Sequence, residues 1–303
     1  MRIASLLPSA TEMLFAMGAG DDVVGVTFEC DYPPAARERP RVVSSRMPER
    51  LAPAEIDALV RSAAAEKKSL YFADFELLER LAPELIVLQD LCHVCAIDSP
   101  TLARDLSRLP SRPRVISLNA SSLEDIFREI EMLGQAAGHA DGARKLAREL
   151  RERVELLRQS VEPTARRPRV LCLEWLDPLF QGGHWVPEMV EIAGGEAVLA
   201  TPGEKSARIT WEQVVASQPD VVVVMPCGYH LAATVAQFRE METGFPAPWR
   251  ELPAVRERRV YAVDGSAYFS RPGPRVVDGL EILRAIVSDR GWERLPPESV
   301  ERL

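Results

Sequence analysis

The side chains with chemistry to offer are cysteine, histidine and the large aromatics, and they gather in a few short stretches. Cys30, Cys92, Cys95 and Cys227 stand between apolar runs, whereas Cys172 lies inside one, RVLCLEW, and reads as a core residue. Four converging thiolates would hold Zn²⁺ tetrahedrally or a [4Fe–4S] cluster. The alternative is a set of unligated loop thiols, because one CxxC with two distant cysteines is neither a finger nor a ribbon. His93, His184 and His230 sit in similar stretches, where an imidazole would ligate cobalt or iron, hydrogen-bond a ligand amide, or simply be a satisfied structural group. Phe28, Tyr32, Trp175, Trp185, Tyr229, Tyr268 and Phe269 surround them, with Arg271 and Arg275 in SRPGPR suited to an anionic group. Such a lining suits a large, flat, partly apolar ligand, although the tryptophans serve a core equally well.

The elements that must carry these residues alternate between strand and helix. Arg2 to Leu7 reads as a strand, followed by Ser9 and Glu12 as a capping box for a helix that closes at Gly18 to Gly20. Strands are expected at Val23 to Thr27, Leu85 to Leu88 and Arg114 to Leu118, with helices over 53–66 and 74–81 and from Ser121 to about Gly138. Asp141 to Val161 is the longest helical signal, with an apolar stripe at Ala143, Leu146, Leu150, Val154, Leu157 and Val161 and Asp141 as its cap. An i, i+4 pair is expected between Glu149 and Arg153. At ~1.5 Å per residue the rod is roughly 30 Å long, and its stiffness predicts only small changes of angle between two lobes.

The order then repeats, with strands at Arg169 to Leu173, Val221 to Met225 and Arg259 to Val263 and helices over 187–192, 211–217 and 275–288. Residues 174–185 read as a loop. LAPELIVLQDLC matches SQPDVVVVMPCG and sets Cys92 beside Cys227 in the repeat. The chain is therefore expected to be α/β: two Rossmann-like parallel-sheet lobes, 1–139 and 163–303, joined by a connecting helix over 140–162. Ligands of such sheets bind beyond the carboxyl ends of the strands, so the cysteine- and aromatic-bearing loops would line one cleft.

With 303 residues, 47% of them apolar and 27% charged, the chain has material for two ordinary cores. The net charge of −8, with bases and acids interleaved, argues against nucleic acid and anionic membrane surfaces as partners. No segment is long and apolar enough for membrane insertion. The N-terminal MRIASLLPSATEMLF carries no secretion signal, which predicts a cytoplasmic protein as written, or a periplasmic one if a signal was trimmed. There is no GxSxG, GxxxxGK[ST] or HExxH, so a binding protein is expected before an enzyme; the competing expectation is a cytosolic metalloprotein or redox enzyme built on the cysteines.

The segments IASLLPSATEMLFAMGAGDDVVGVTFECDYP, APELIVLQ, GGHWVPEMVEIAGG and ITWEQVVASQPDVVVV resemble the class III solute-binding proteins of ABC importers. Among them the cobalamin (vitamin B12)-binding components are the most similar. That resemblance spans nearly the whole chain and implies a bilobed fold with a helical spine and a corrinoid-sized cleft. It places the family's two permease-docking glutamates on Glu76 and Glu212, and maps cobalamin-contacting aromatics onto Tyr32, Trp175, Tyr268 and Phe269. His184, Trp185, Tyr229 and Arg271 complete the expected ligand set. The four loop cysteines depart from the cobalamin carriers' pattern.

Overall fold

A computed structural model describes residues 1–45, 47, 53–65, 70–89, 105–106, 108–163 and 166–303. Its contacts divide the chain into two compact units: Met1–Ala120 with Glu124–Glu149, and Ser121–Leu123 with Leu150–Leu303.

The first unit is built from β1 (Ile3–Ser5), α1 (Pro8–Ala16), β2 (Val23–Thr27), β3 (Arg41–Ser45), α2 (Pro53–Ala65) and β4 (Tyr71–Ala73). These are followed by α3 (Phe75–Leu81), β5 (Leu85–Gln89), β6 (Arg114–Leu118), most of α4 (Leu123–Ala137) and the first half of α5 (Ala140–Gln159). Its six-stranded sheet runs β4-β3-β2-β1-β5-β6. All neighbours are parallel except β4, which lies antiparallel on β3 with Tyr71 opposite Ser45. Ile3, Ala4 and Ser5 are fully buried, as befits a central strand covered on both faces. Asp74 caps α3 by accepting the Leu77 N–H at 2.9 Å.

The capping box expected at Ser9 and Glu12 does not form. The helix begins two residues earlier than a Ser9 cap implies, at Pro8, whose fixed φ suits the first turn, and both Ser9 and Glu12 are buried inside it. Nor is Asp141 the cap of α5. That helix opens at Ala140, where the His139 carbonyl accepts the Ala143 N–H at 3.0 Å. It ends at Gln159 rather than Val161.

The second unit contains β7 (Arg169–Leu176), β8 (Leu179–Gln181), α6 (Val186–Ile192), β9 (Glu196–Ala197), β10 (Ala207–Arg208), α7 (Trp211–Ser217) and β11 (Val221–Val224). It continues through α8 (Leu231–Glu242), α9 (Pro253–Arg256), β12 (Val260–Val263), α10 (Gly265–Tyr268), α11 (Val276–Ser288) and β13 (Val300–Arg302). The sheet order is β10-β8-β7-β11-β12-β13, with β9 also on β7. The core β7-β11-β12 is parallel. Val221 to Val224 are all fully buried, so a run of four β-branched residues makes a strand covered on both sides.

The expected all-parallel sheet is thus edged by antiparallel strands. β7 runs three residues past its predicted end and folds back as a hairpin into β8. The tail returns as β13 against β12. Arg153 leaves Glu149 unpaired with it and reaches instead to α11, with Nη2 donating to Asp278 Oδ1 at 2.6 Å and Glu281 Oε1 at 2.8 Å. Those two carboxylates hold its guanidinium pKa above the usual value, against the opposing effect of burial.

Candidate functional site

In the second unit the chain reverses direction around β7, and the loops beyond the carboxyl ends of β7, β11 and β12 come together there. The ladder between β7 and β11 continues past the strands: Met225 N–H donates to Leu173 O at 2.8 Å and Cys227 N–H to Glu174 O at 3.2 Å. That pairing lays the turn Pro226–His230 beside the end of β7 and sets Tyr229 edge-on to Trp175, ring centroids 5.7 Å apart at 62°. Gly228, at φ +79°, supplies the left-handed residue the turn needs.

The same turn rests on α10. Ser266 N–H donates to Tyr229 O at 3.0 Å, and Gly265 admits the close approach, since a Cβ there would lie 2.4 Å from Pro226 O. Asp264 does two jobs: Oδ1 accepts the Ala267 N–H at 2.7 Å and caps α10, and Oδ2 lies 2.9 Å from His230 Nδ1. A carboxylate in that position orients the imidazole and favours the tautomer with its proton on Nδ1. Burial raises the Tyr229 phenol above its ordinary pKa, so it stays a neutral donor.

On the other side of β7, Gly182-Gly183-His184-Trp185 enters α6. Trp185 is 5% exposed and donates its Nε1–H to Phe269 O at 2.9 Å, which pins the α10 to α11 connection. The His184 ring lies 5.6 Å from that of Trp185. Its pKa is lowered, first by burial and then by the charge of Lys205, which keeps the imidazole neutral at physiological pH. The Arg275 guanidinium sits over the Tyr268 ring, 5.7 Å from its centroid.

Of the residues expected to bind ligand, Trp175, His184, Trp185, Tyr229, Tyr268, Phe269 and Arg271 all belong to this unit, around the ends of three adjacent strands. Trp185 and Phe269 are nearly buried; Trp175, His184, Tyr229, Tyr268 and Arg271 retain partial exposure. Tyr32 belongs to the first unit and is 46% exposed. Glu76 and Glu212 are exposed in the first turns of α3 and α7. Hydrogen bonds from the Thr210 side chain and its own N–H hold the Glu212 carboxyl below the usual range.

The cysteines divide. Cys30 is buried, its Sγ 3.1 Å from Thr11 Oγ1 and 3.3 Å from Thr27 Oγ1. Cys227 is exposed on the β11 turn, and Cys172 is buried in β7. Cys92, His93 and Cys95 lie outside the described residues. Among those described, no group of three or more histidine, cysteine or acidic side chains is placed to hold a metal ion. Zinc and iron–sulfur chemistry therefore has no support among them. Sequence reading passed over Asp264, Glu174, Ser206 and Lys205; only Asp264 carried a local signal, as a cap residue between a strand and Gly265.

A model of the periplasmic binding protein family matches residues 3–267. The vitamin B12-binding protein of Vibrio parahaemolyticus is 26% identical over 284 residues, 92% of this chain and 86% of its own. A Bacillus subtilis protein, described as the uncharacterized ABC transporter substrate-binding lipoprotein YvrC, is 24% identical, with 93% and 78% covered. The periplasmic vitamin B12 binding protein BtuF of Vibrio cholerae superposes with a TM-score of 0.67 at 24% identity, covering 95% of this chain and 96% of that one. The apo form of the periplasmic heme-binding protein RhuT from Roseiflexus sp. RS-1 superposes at 0.70, also at 24% identity, with 95% and 98% covered. Structural likeness at such identity establishes the fold. Periplasmic and lipoprotein relatives give the cytoplasmic expectation no support, and among the described residues no helix is long and apolar enough to cross a membrane. By its family match the chain belongs to the periplasmic binding protein family, solute-binding proteins of the ABC-importer type.

Proposed function

We propose that this solute-binding protein takes a corrinoid ligand of the cobalamin type. The observation that carries the reading is the pairing of Trp175 with Tyr229 beyond the carboxyl ends of β7 and β11, which offers aromatic edges to a flat macrocycle. Vitamin B12-binding relatives support the corrinoid; heme-binding neighbours of the same fold supply the competing cargo. Titrating the purified protein with cyanocobalamin and, separately, with haemin decides between them. Cyanocobalamin should quench tryptophan fluorescence saturably, and Trp175→Ala with Tyr229→Ala should weaken it by about tenfold, the scale of one lost aromatic contact. Binding of haemin alone would move the cargo to the heme class, and binding of neither would overturn the reading.

Glu76 and Glu212 serve in this reading as docking charges for arginines of a membrane permease, outside the cytoplasm. Both are exposed acids on first helical turns, one in each unit. Replacing both with lysine should abolish co-purification with the permease and leave cyanocobalamin affinity unchanged. Unaltered co-purification would remove them from the docking role.

A further inference from the structure

Thr201 to Ser206 form a strap, exposed through Lys205, that is fastened to the turn bearing His184. Gly203 N–H donates to His184 O at 2.9 Å, and His184 N–H donates back to Glu204 O. Gly183 N–H donates to Ser206 Oγ at 3.2 Å, and that hydroxyl donates in turn to Glu174 Oε2. The approach is so close that a Cβ on Gly183 would lie 2.2 Å from Ser206 N and 2.5 Å from Lys205 C. His184 itself is held at φ +55°, a conformation that non-glycine residues adopt only when their surroundings impose it.

The effect of this fastening is to lay the backbone of Lys205 against the turn that carries the partly buried His184, whose ring lies beside the indole of Trp185. The charge of Lys205 accordingly contributes to lowering the imidazole pKa, after burial. Such a pairing is unfavourable by itself. Among the described residues Lys205 enters no ion pair. Glu204, beside it on the strap, faces solvent, and Glu174 at the end of β7 is engaged by Ser206. Glu188, on α6, is turned to the Leu123 N–H at 2.9 Å. What would complete the arrangement is an oxyanion from outside.

We propose that Lys205 and His184 form a receptor for an anionic group, a carboxylate or a phosphate, on the periphery of the ligand. Lys205 supplies the charge and His184 a ring N–H. Placing the anion in a corrinoid's phosphodiester rests on the cobalamin reading above; the receptor itself does not. An anion between the two would favour the imidazolium, so binding takes up a proton and weakens as pH rises.

The receptor is tested first without any macrocycle. The His184 ring signal, assigned by its loss in His184→Gln, is titrated by NMR with and without inorganic phosphate. In the wild type, phosphate should move the titration to higher pH. In Lys205→Met, an exposed change that spares the core, the titration should start higher and ignore phosphate. An equal phosphate response in both proteins would overturn the receptor. The second measurement compares cyanocobalamin with dicyanocobinamide, which lacks the phosphodiester. The wild type should prefer the former by about fivefold, the scale of an exposed ion pair, and Lys205→Met should lose that preference. If phosphate acts as expected but no corrinoid binds, the receptor stands and the cobalamin reading falls. If both corrinoids bind wild type and Lys205→Met alike, the receptor falls and that reading stands.

Discussion

Glu129, on α4, is a carboxyl group with one oxygen satisfied and the other not. Its Oε1 accepts the Asn119 N–H, while Oε2 is buried without a partner. Burial, with a smaller contribution from Asp125, pushes its pKa up to about 7, against the Asn119 and Ala120 backbone donors. The native protein therefore keeps a proton that the unfolded chain, titrating at 4.5, has already released. The resulting stabilisation is fully present below that value and is lost as pH rises to about 7. Urea denaturation at pH 5 and pH 8 should show Glu129→Gln losing a slope of about 1–2 kcal/mol relative to wild type, discounted for partial exposure. Identical slopes would refute the assignment. Burial likewise drives the Cys172 thiol up to about 12. Iodoacetamide at pH 8 should thus leave Cys172 intact in the native protein while alkylating the exposed Cys227, as read by peptide mass spectrometry. Cys172 was legible as core because its own strand surrounds it with apolar residues. Glu129 was not, because a glutamate on an amphipathic helix looks solvated until its neighbours are known.

At the scale of the elements, α5 shows what a stripe of apolar residues leaves unsaid. Ala143, Ala147, Leu150 and Val154 are buried as helical spacing requires. A close backbone approach, however, is made by Gly142, where a Cβ would lie 2.1 Å from Met17 O. Gly142→Ala should force the helix from its seat and cost about 1–3 kcal/mol, in spite of alanine's better helix propensity. A stabilised variant in thermal melts would show that α1 gives way instead. The second half of the helix is held to α11 by Arg153, and Arg153→Ala should cost about 1–2 kcal/mol, since the site is partly exposed and leaves Asp278 and Glu281 facing each other. No periodicity foretold that bond, because its partners lie more than a hundred positions away. α8 was missed for a related reason: LAATVAQFREME buries Thr234, Val235, Gln237 and Phe238, a mixture that marks no clean apolar face. The hairpin β7–β8 and the strand β13 were missed because short antiparallel edges owe their existence to the strand beside them.

For the molecule as a whole, a ligand that binds only the folded chain must stabilise it. Cyanocobalamin at a free concentration of 100 Kd should add about 2.7 kcal/mol and raise the melting temperature accordingly. Absence of any shift at saturating concentrations would contradict the proposed cargo. Strand, loop and helix alternate in the amino-acid sequence itself, and two repeats of that order were enough to determine an α/β chain, while the solute-binding type rested on the resemblance of its motifs to that family. Each of those signals is local, carried by burial on both faces of a short run or by one stripe of a helix. The site was legible only as composition, an excess of aromatics and histidines in the loops after strands. Tertiary structure decided which of them meet. It set Tyr229 against Trp175 through the β7–β11 ladder, tied the Trp185 indole to the Phe269 carbonyl, and gave His230 its Asp264. It also brought Lys205 to His184 through a strap whose sequence announces nothing. Contacts of that kind depend on register and close backbone approach between distant segments, and no run of residues encodes them alone.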